Sequence, residues 1–319
     1  MNPASGRPSS LAIAVGFAVL YISWGTTYLP TRLAVFSENM PPLLFGGIRL
    51  FCAGVVLVLF QILRGERINL TRADVRKVFA ASLMLFIIGA GLMNMASETV
   101  TSGECAVLAA TTPLWLGLFA MLWPNSERLT LRGWFGLFVG LAGVLLLVWP
   151  QIKNREEFFK NIGVAYAISS AVSWAIGSLV LRHMPMHTSH LTAAAYQLIV
   201  GGVGMSLVGV VFGETERWPA HLTPVTIGAF FYLLFIGSLA GFVAFNWLLG
   251  HVAAAKVGTY AYVNPMIAIF VGAGAGEELT GGLLAGICVI LIGVFLVRGG
   301  ERPAPIPSVD EADPLVDFV

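Results

Sequence analysis

Polar and aromatic side chains recur at helical spacing inside the most apolar segments of the chain. Trp24 and Tyr28 are four residues apart, and Trp174 and Ser178 repeat that spacing 150 residues later. Residues four apart lie on the same face of a helix. A face that carries indole rings and hydroxyl groups can bury an apolar solute and bind its polar end by hydrogen bonds. The alternative interpretation is that these rings are packing residues or interfacial anchors.

Three further segments place polar groups in apolar surroundings. Asn94 lies four residues before Glu98, and Tyr260 lies four residues before Asn264. Asn246 stands in a Gly-containing apolar run. Polar side chains within a lipid bilayer are costly unless they face the bundle interior or a water-filled cavity. The spacing therefore predicts one cavity lined by several helices. The predicted binding residues are Trp24, Tyr28, Asn94, Trp174, Ser178, Asn246, Tyr260 and Asn264.

Arg49 and Glu98 are the candidate charge sites. Arg49 lies about two turns into an apolar run, where a guanidinium needs partners. Two interpretations stay open, namely a structural ion pair and a site for the carboxylate of a solute. Glu98 and Glu104 are the nearest acids, but both fall near a predicted turn. The sequence therefore offers no strong candidate for a deeply buried carboxylate that takes up protons.

The composition indicates what solvent surrounds these residues. Hydrophobic residues make up 57% of the 319 residues and charged residues 11%, whereas about 25% is charged in a typical soluble domain. So few charges cannot cover a soluble globular protein, which excludes that class. The formal net charge of +1 leaves no electrostatic footprint for nucleic acid. A lipid bilayer is therefore the expected environment, and no nucleic-acid partner is expected.

Runs of about 20 mostly apolar residues are typical of membrane-spanning helices. Ten such runs lie between charged or Pro-rich breaks, and we number them span 1 to span 10. They cover residues 11–33, 42–63, 76–98, 104–123, 131–149, 161–181, 190–212, 224–248, 255–275 and 281–298. The predicted fold class is an all-α integral membrane protein with ten transmembrane helices. If the N-terminus is cytoplasmic, the inner side receives twelve Lys and Arg and the outer side five, so both termini are predicted to be cytoplasmic.

The ten spans divide into two copies of a five-helix unit. Trp24 and Arg32 recur as Trp174 and Arg182 at an offset of 150, and several Gly, Asn and Glu positions recur at 150 or 152. Because five is odd, the second copy enters the bilayer from the opposite face, so the repeats are inverted. We predict a first repeat at 1–149, a linker at 150–160, a second repeat at 161–298 and a disordered acidic, Pro-rich tail at 299–319.

A family resemblance rests on a motif pattern that occurs twice in order. Its elements are the segment from Trp24 to Arg32, Arg49 in span 2, the prolines Pro113 and Pro265 in spans 4 and 9, and the Glu-x-Leu-Thr openings of spans 5 and 10. Over residues 11–298 this pattern resembles the tandem EamA repeats of the drug/metabolite transporter superfamily. Within it, the chain is most similar to bacterial exporters of amino acids and related metabolites, including aromatic amino acids. One departure is that arginine ends spans 1 and 6 where lysine is expected.

The resemblance implies a multi-pass secondary transporter of the bacterial inner membrane that exports amino acids by alternating access. We expect a small amino-acid-like substrate, a monomer or homodimer, and no enzymatic activity, cofactor or metal. The alternatives are a nucleotide-sugar or drug transporter of the same superfamily and, in a different class, a membrane-embedded enzyme. Nucleotide sugars call for several deep basic residues and multivalent cationic drugs for a buried carboxylate, and neither is evident. Aromatic and amide groups favour solutes with aromatic or long apolar side chains.

Overall fold

The computed structural model describes residues 8–66, 68–100, 102–123, 126, 128–148, 160–184, 186–274, 282–298 and 301–302. The predicted linker at 150–160 lies almost entirely outside these residues, and so does most of the predicted tail at 299–319.

Each predicted span contains helix. The first repeat has Ser10–Gly25 and Tyr28–Arg32 in span 1, Pro42–Leu63 in span 2, Arg72–Ser82 and Gly91–Ala96 in span 3, Ser102–Ala109 and Thr112–Leu122 in span 4, and Leu131–Val148 in span 5. The second repeat has Ile162–His183 in span 6, His190–Val211 in span 7, Pro224–Tyr232 and Phe242–His251 in span 8, Ala254–Val257 and Tyr260–Gly274 in span 9, and Gly282–Arg298 in span 10. Glu214–Arg217 is a 3-10 helix between spans 7 and 8.

Among the described residues, seven helices are long and apolar enough to cross a membrane, and they are spans 1 to 4 and 6 to 8. Spans 5, 9 and 10 form shorter helices, and each of them borders residues outside the described part of the chain. The predicted all-helical membrane fold with two five-helix repeats is confirmed.

Side-chain caps set several helix starts at the change from polar to apolar sequence. Ser9 caps span 1, Ser189 caps span 7 and Thr223 caps span 8. At span 3, Thr71 and Asp74 form a capping box. Each cap satisfies backbone N–H groups that the first turn of a helix leaves unpaired.

Two buried carboxylates join the repeats at opposite ends of the bundle. Glu214 accepts the backbone N–H of Leu44 at 2.7 Å and of Leu43 at 3.2 Å, at the start of span 2. Asp74, at the start of span 3, accepts the backbone N–H of His187 at 3.0 Å, just ahead of span 7. Each carboxylate therefore ties one repeat to the start of a helix in the other.

Corresponding helices of the two repeats pack against each other. Spans 2 and 7, and spans 5 and 10, make the two most extensive helix contacts. Glycines permit this close approach: a Cβ at Gly293 would meet the backbone of Gly136 and Gly140, and a Cβ at Gly202 would meet the backbone of Gly47. Such pairs are expected where corresponding helices of inverted repeats lie beside a pseudo-twofold axis.

Spans 3 and 8 share a local distortion. Leu83–Ala90 in span 3 and Leu233–Gly241 in span 8 are π-helical, and they start 150 residues apart. A third π-helical segment, Leu33–Ser37, ends span 1. π-helical turns inside α-helices frequently mark functional sites, and the segments in spans 3 and 8 border the cavity described below.

Two residues of the predicted tail pair with the segment before span 5. Glu301–Arg302 form a strand, β2, that pairs antiparallel with Arg128–Leu129, β1. Span 10 packs along span 5, which brings the end of one helix beside the start of the other. Residues 303–319 lie outside the described residues.

Candidate functional site in a central cavity

A cavity lies between the two repeats and is lined by spans 1, 2, 3, 4, 6, 8 and 9. Seven of the residues predicted from the sequence line it: Trp24, Tyr28, Arg49, Asn94, Trp174, Tyr260 and Asn264. The space between the lining side chains amounts to about 1050 Å³, counting the part that is continuous with solvent.

The cavity extends from the middle of the bundle toward one of its ends. We call the end where span 1 finishes and span 2 begins the first face, and the opposite end the second face. Thr31 and Arg32 in span 1, and Ser97 and Val100 after span 3, line the cavity close to the first face. Deeper residues from each of these spans, such as Trp24, line its inner end.

An aromatic floor closes the cavity toward the second face, and it consists of Trp24, Trp174, Phe245 and Tyr260. The ring of Trp24 lies 5.4 Å from that of Trp174, 5.0 Å from that of Phe245 and 4.8 Å from that of Tyr260, between centroids. Beyond this floor, Leu20, Leu179, Leu248 and Leu249 are essentially fully buried. The second-face half of the bundle is therefore packed shut.

Four polar atoms at the cavity are buried without a hydrogen-bond partner among the described residues. They are Arg49 Nε, Trp174 Nε1, Ser238 Oγ and Asn264 Oδ1. Buried polar groups in folded proteins are almost always paired, because an unpaired one costs about 1–3 kcal/mol. Their concentration around one cavity indicates groups that are completed by a bound solute or by water.

Arg49 brings a positive charge into this cavity from span 2. A side chain at Gly237 would have its Cβ 3.6 Å from Arg49 Nη1 and 2.9 Å from Thr27 Cγ2, so the absence of one leaves room beside the guanidinium. Arg32, by contrast, is engaged: its Nη1 donates to the Val100 carbonyl at 2.9 Å, and its guanidinium lies 4.4 Å from the centre of the Phe36 ring.

The remaining lining groups from spans 1, 3 and 9 are close to one another. The Asn264 side chain approaches the Tyr28 hydroxyl closely enough to interact with it. Asn94 Nδ2 donates to the Pro42 carbonyl at 3.3 Å. The Trp24 indole N–H is also paired, because it donates to the Gly237 carbonyl at 3.0 Å.

Three residues singled out from the sequence lie elsewhere. The Ser178 hydroxyl is buried and donates to the Trp174 carbonyl at 2.7 Å within its own helix. Asn246 lies on the second-face side of the aromatic floor and donates to Gln197 Oε1 at 2.8 Å. Glu98 accepts from Arg217 Nη2 at 2.7 Å in a partly exposed ion pair.

Helical spacing could have found some of the lining residues that the sequence reasoning missed. Thr27 and Thr31 are three and seven residues after Trp24, and so share its face. Ser238 and Phe242 lie in and just after the π-helical part of span 8. A π-helical turn shifts the facing of later residues, so regular α-helical spacing does not place them. Among the described residues, no group of three or more His, Cys, Asp and Glu could hold a metal ion.

Known proteins resemble this chain over nearly its whole length. Residues 11–149 and 161–299 each match the EamA-like transporter family. The chain is 30% identical over 301 residues to the uncharacterized inner membrane transporter YedA of Escherichia coli (strain K12), covering 92% of this chain and 94% of YedA. It is 22% identical to a probable amino-acid metabolite efflux pump of Salmonella typhimurium (strain LT2), covering 90% of this chain and 95% of that protein.

A solved crystal structure supports the fold. It superposes with a TM-score of 0.72 at 19% identity, covering 91% of this chain and 98% of its own. The two family matches take in most of the sequence and confirm the predicted resemblance. The chain therefore belongs to the EamA-like transporter family and is a membrane transporter of the drug/metabolite transporter superfamily.

Proposed function

We propose that this protein is a secondary transporter of the bacterial inner membrane that exports amino-acid-like solutes with aromatic or long apolar side chains. The observation that carries the proposal is the central cavity, in which an aromatic floor adjoins four buried polar atoms that have no partner in the described part of the chain. Aromatic faces bury an apolar side chain, and the polar atoms bind the polar end of the solute.

The orientation of the chain gives the cavity its direction. The twelve-to-five distribution of Lys and Arg supports cytoplasmic termini. In that orientation the first face is outside, so we infer that the cavity opens outward in this state, as in the release state of an exporter. YedA, which is named as an inner membrane transporter, supports the location. Reporter fusions after residue 299 should report the cytoplasm and fusions within 153–160 the outside, and the reverse at either site would reject this orientation.

The charges around the cavity favour this solute class over the alternatives. No Asp or Glu lines the described cavity, which disfavours multivalent cationic drugs. Arg32 is engaged with Val100, which leaves Arg49 as the guanidinium available to an anion, whereas a nucleotide sugar calls for several. The relative named as an amino-acid metabolite efflux pump supports the same choice.

The proposed site in this state consists of the lining residues Trp24, Tyr28, Asn94, Trp174, Tyr260 and Asn264. Ser178 and Asn246 correspond to Tyr28 and Asn94 at repeat offsets of 150 and 152. They lie in the closed half of the bundle. We assign them to the cavity that forms when the second face opens, since inverted repeats exchange roles between the two states.

Counterflow in proteoliposomes tests the function. Vesicles loaded with unlabelled phenylalanine should take up labelled phenylalanine saturably, and tryptophan and methionine should compete. Competition only by nucleotide sugars or by cationic dyes would reject the proposal.

Variants test the assignment of the site. Trp24→Ala and Trp174→Ala should reduce flux per folded protein by about tenfold or more, because each removes a ring from the floor. Trp134→Ala is the control, since Trp134 lies in span 5 outside the cavity lining. If both floor variants transport normally, the cavity is not the binding site.

A further inference from the structure

Arg49 is a guanidinium in the middle of the protein whose charge is not neutralised. Its Nε is buried without a partner, and no carboxylate among the described residues pairs with it. A buried cation without a counter-ion is strongly unfavourable, and buried charges are normally paired. This cost is offset if the solute itself carries the group that serves as the counter-ion.

Two acids near the first face have other partners. Glu98 is bound to Arg217 at 2.7 Å. Glu214 accepts the backbone N–H groups of Leu43 and Leu44 at the start of span 2. No Asp or Glu, Glu104 included, is among the described residues that line the cavity, so the charge of Arg49 is left for a ligand.

The surroundings of Arg49 match a carboxylate and offer little to an ammonium. The guanidinium is a planar fork that donates two parallel hydrogen bonds to a carboxylate. Ser238 and the Trp174 indole N–H add two unpaired groups that can donate to the same cavity, and Gly237 leaves space beside Nη1. For an amino group the described lining provides two unpaired neutral acceptors, Ser238 Oγ and Asn264 Oδ1, and no acid.

The second repeat has no guanidinium at the position that corresponds to Arg49. That position is Ile199 at the offset of 150 and Gly201 at the offset of 152. Only one repeat therefore supplies a guanidinium at this depth, which fits a solute that carries one carboxylate.

We propose that Arg49 binds the carboxylate of the transported solute, so that the substrate class is apolar monocarboxylates in which the carboxylate is required and the amino group is dispensable. The inference rests on the proposed function and deepens it. Phenylalanine and its deaminated analogue 3-phenylpropionate are then ligands of similar affinity, whereas phenylalaninamide and phenethylamine, which share the ring but lack the carboxylate, bind poorly.

Equilibrium binding of these four compounds to the purified full-length protein, followed by the shift of the thermal unfolding midpoint, tests the inference. In the wild type the two acids should bind about tenfold or more tightly than the amide and the amine. In Arg49→Gln the ratio of acid to amide affinity should fall to about one, and Arg49→Lys should keep part of it. Arg64→Gln, which changes an exposed arginine at the second face, should keep the wild-type ratio. Phenyl phosphate in place of the acids shows whether the site prefers a phosphate monoester, which would overturn the assignment to carboxylates.

The outcomes separate this inference from the proposed function. If amino acids are transported but Arg49→Gln still distinguishes acid from amide as the wild type does, the role of Arg49 is overturned and the function stands. If no amino acid is transported but 3-phenylpropionate binds in an Arg49-dependent manner, the amino-acid assignment falls and the carboxylate site stands. If neither acid binds more tightly than the amide to the wild type, the carboxylate site is rejected. Because the ratio is measured within one variant, partial loss of stability does not obscure the result.

Discussion

The two repeats make the same hydrogen bond at their corresponding arginines but differ at their corresponding tryptophans. Arg32 donates to the Val100 carbonyl at 2.9 Å, and Arg182 donates to the Leu249 carbonyl at 3.0 Å. These contacts tie the end of the first helix of each repeat to the end of its third. The arginine hydrogen bond is present in the half of the bundle that holds the cavity and in the half that is packed shut. It therefore stabilises the fold of each repeat.

The tryptophans differ because only one of them is paired. Trp24 donates its indole N–H to Gly237, at 3.0 Å, whereas the N–H of Trp174 is buried without a partner among the described residues. The two rings contact each other in the floor of the cavity. The repeats differ at these tryptophans and also at Arg49, which is matched by Ile199. In both cases a residue that differs between the repeats lines the cavity. The asymmetry between matched positions therefore points to the groups that meet the solute.

The largest expected effect comes from placing a large apolar side chain at Gly237, where the first repeat has Ile87 at the offset of 150 and Leu85 at the offset of 152. In Gly237→Ile the new Cβ would meet Thr27 at 2.9 Å, and the rest of the side chain would fill the space beside Arg49. Flux in proteoliposomes should fall to background. Gly228→Ile is the matched control, because a Cβ there meets nothing within 4 Å. Normal flux in Gly237→Ile would show that the cavity is not the pathway.

The next largest effect is expected for the arginine-to-carbonyl hydrogen bond that each repeat makes. Arg32→Gln and Arg182→Gln should each lower the free energy of unfolding by about 1.5–3 kcal/mol, because each removes a charged donor from a backbone carbonyl. Thermal or denaturant unfolding in detergent measures both. A loss at one arginine with none at the other would contradict the equivalence of the two ties.

The smallest effect separates the two tryptophans. Trp24→Phe and Trp174→Phe both keep an aromatic ring and remove the N–H. Both substitutions also remove ring volume from a packed cluster. Trp24→Phe should lower stability by about 1 kcal/mol more than Trp174→Phe, since it alone breaks a bond, the one to Gly237. Trp174→Phe should weaken solute affinity several-fold, because its N–H has no partner among the described residues. Equal changes in midpoint would remove the distinction between the two indoles.

Much of the fold could be predicted from the sequence because lipid imposes simple rules. Apolar runs of spanning length located the helices, and residues such as Trp24 and Trp174 at matched positions located the repeats. Four-residue spacing predicted that Trp24 and Tyr28, and likewise Tyr260 and Asn264, share a helix face, and all four line the cavity. These are local patterns on helices, which sequence records directly.

The rest depended on relations that local pattern does not contain. Ser178 corresponds to Tyr28 by the repeat offset of 150. It nevertheless lies outside the cavity, because the cavity occupies only one of the two symmetric halves. Glu98 is drawn to Arg217, which is 119 residues away in the chain. Ser238 is placed by a π-helical segment. Symmetry in the sequence predicts two equivalent half-sites and does not say which of them a given state exposes.

The proposed function requires that the cavity opens to the outside in this state while the corresponding half of the bundle is shut. Thr31 and Ser178 offer a matched pair, because each hydroxyl donates to a carbonyl in its own span, at 2.8 Å and 2.7 Å. Each is changed to cysteine in a background where Cys52, Cys105 and Cys288 are serine, and a membrane-impermeant thiol reagent is added outside whole cells.

We expect Thr31→Cys to be labelled from outside, and we expect phenylalanine to slow this labelling. Ser178→Cys should be labelled only from the cytoplasmic side, in inverted vesicles during transport. Labelling of Ser178→Cys from outside at the rate of Thr31→Cys, or labelling of Thr31→Cys only from the cytoplasmic side, would contradict this expectation.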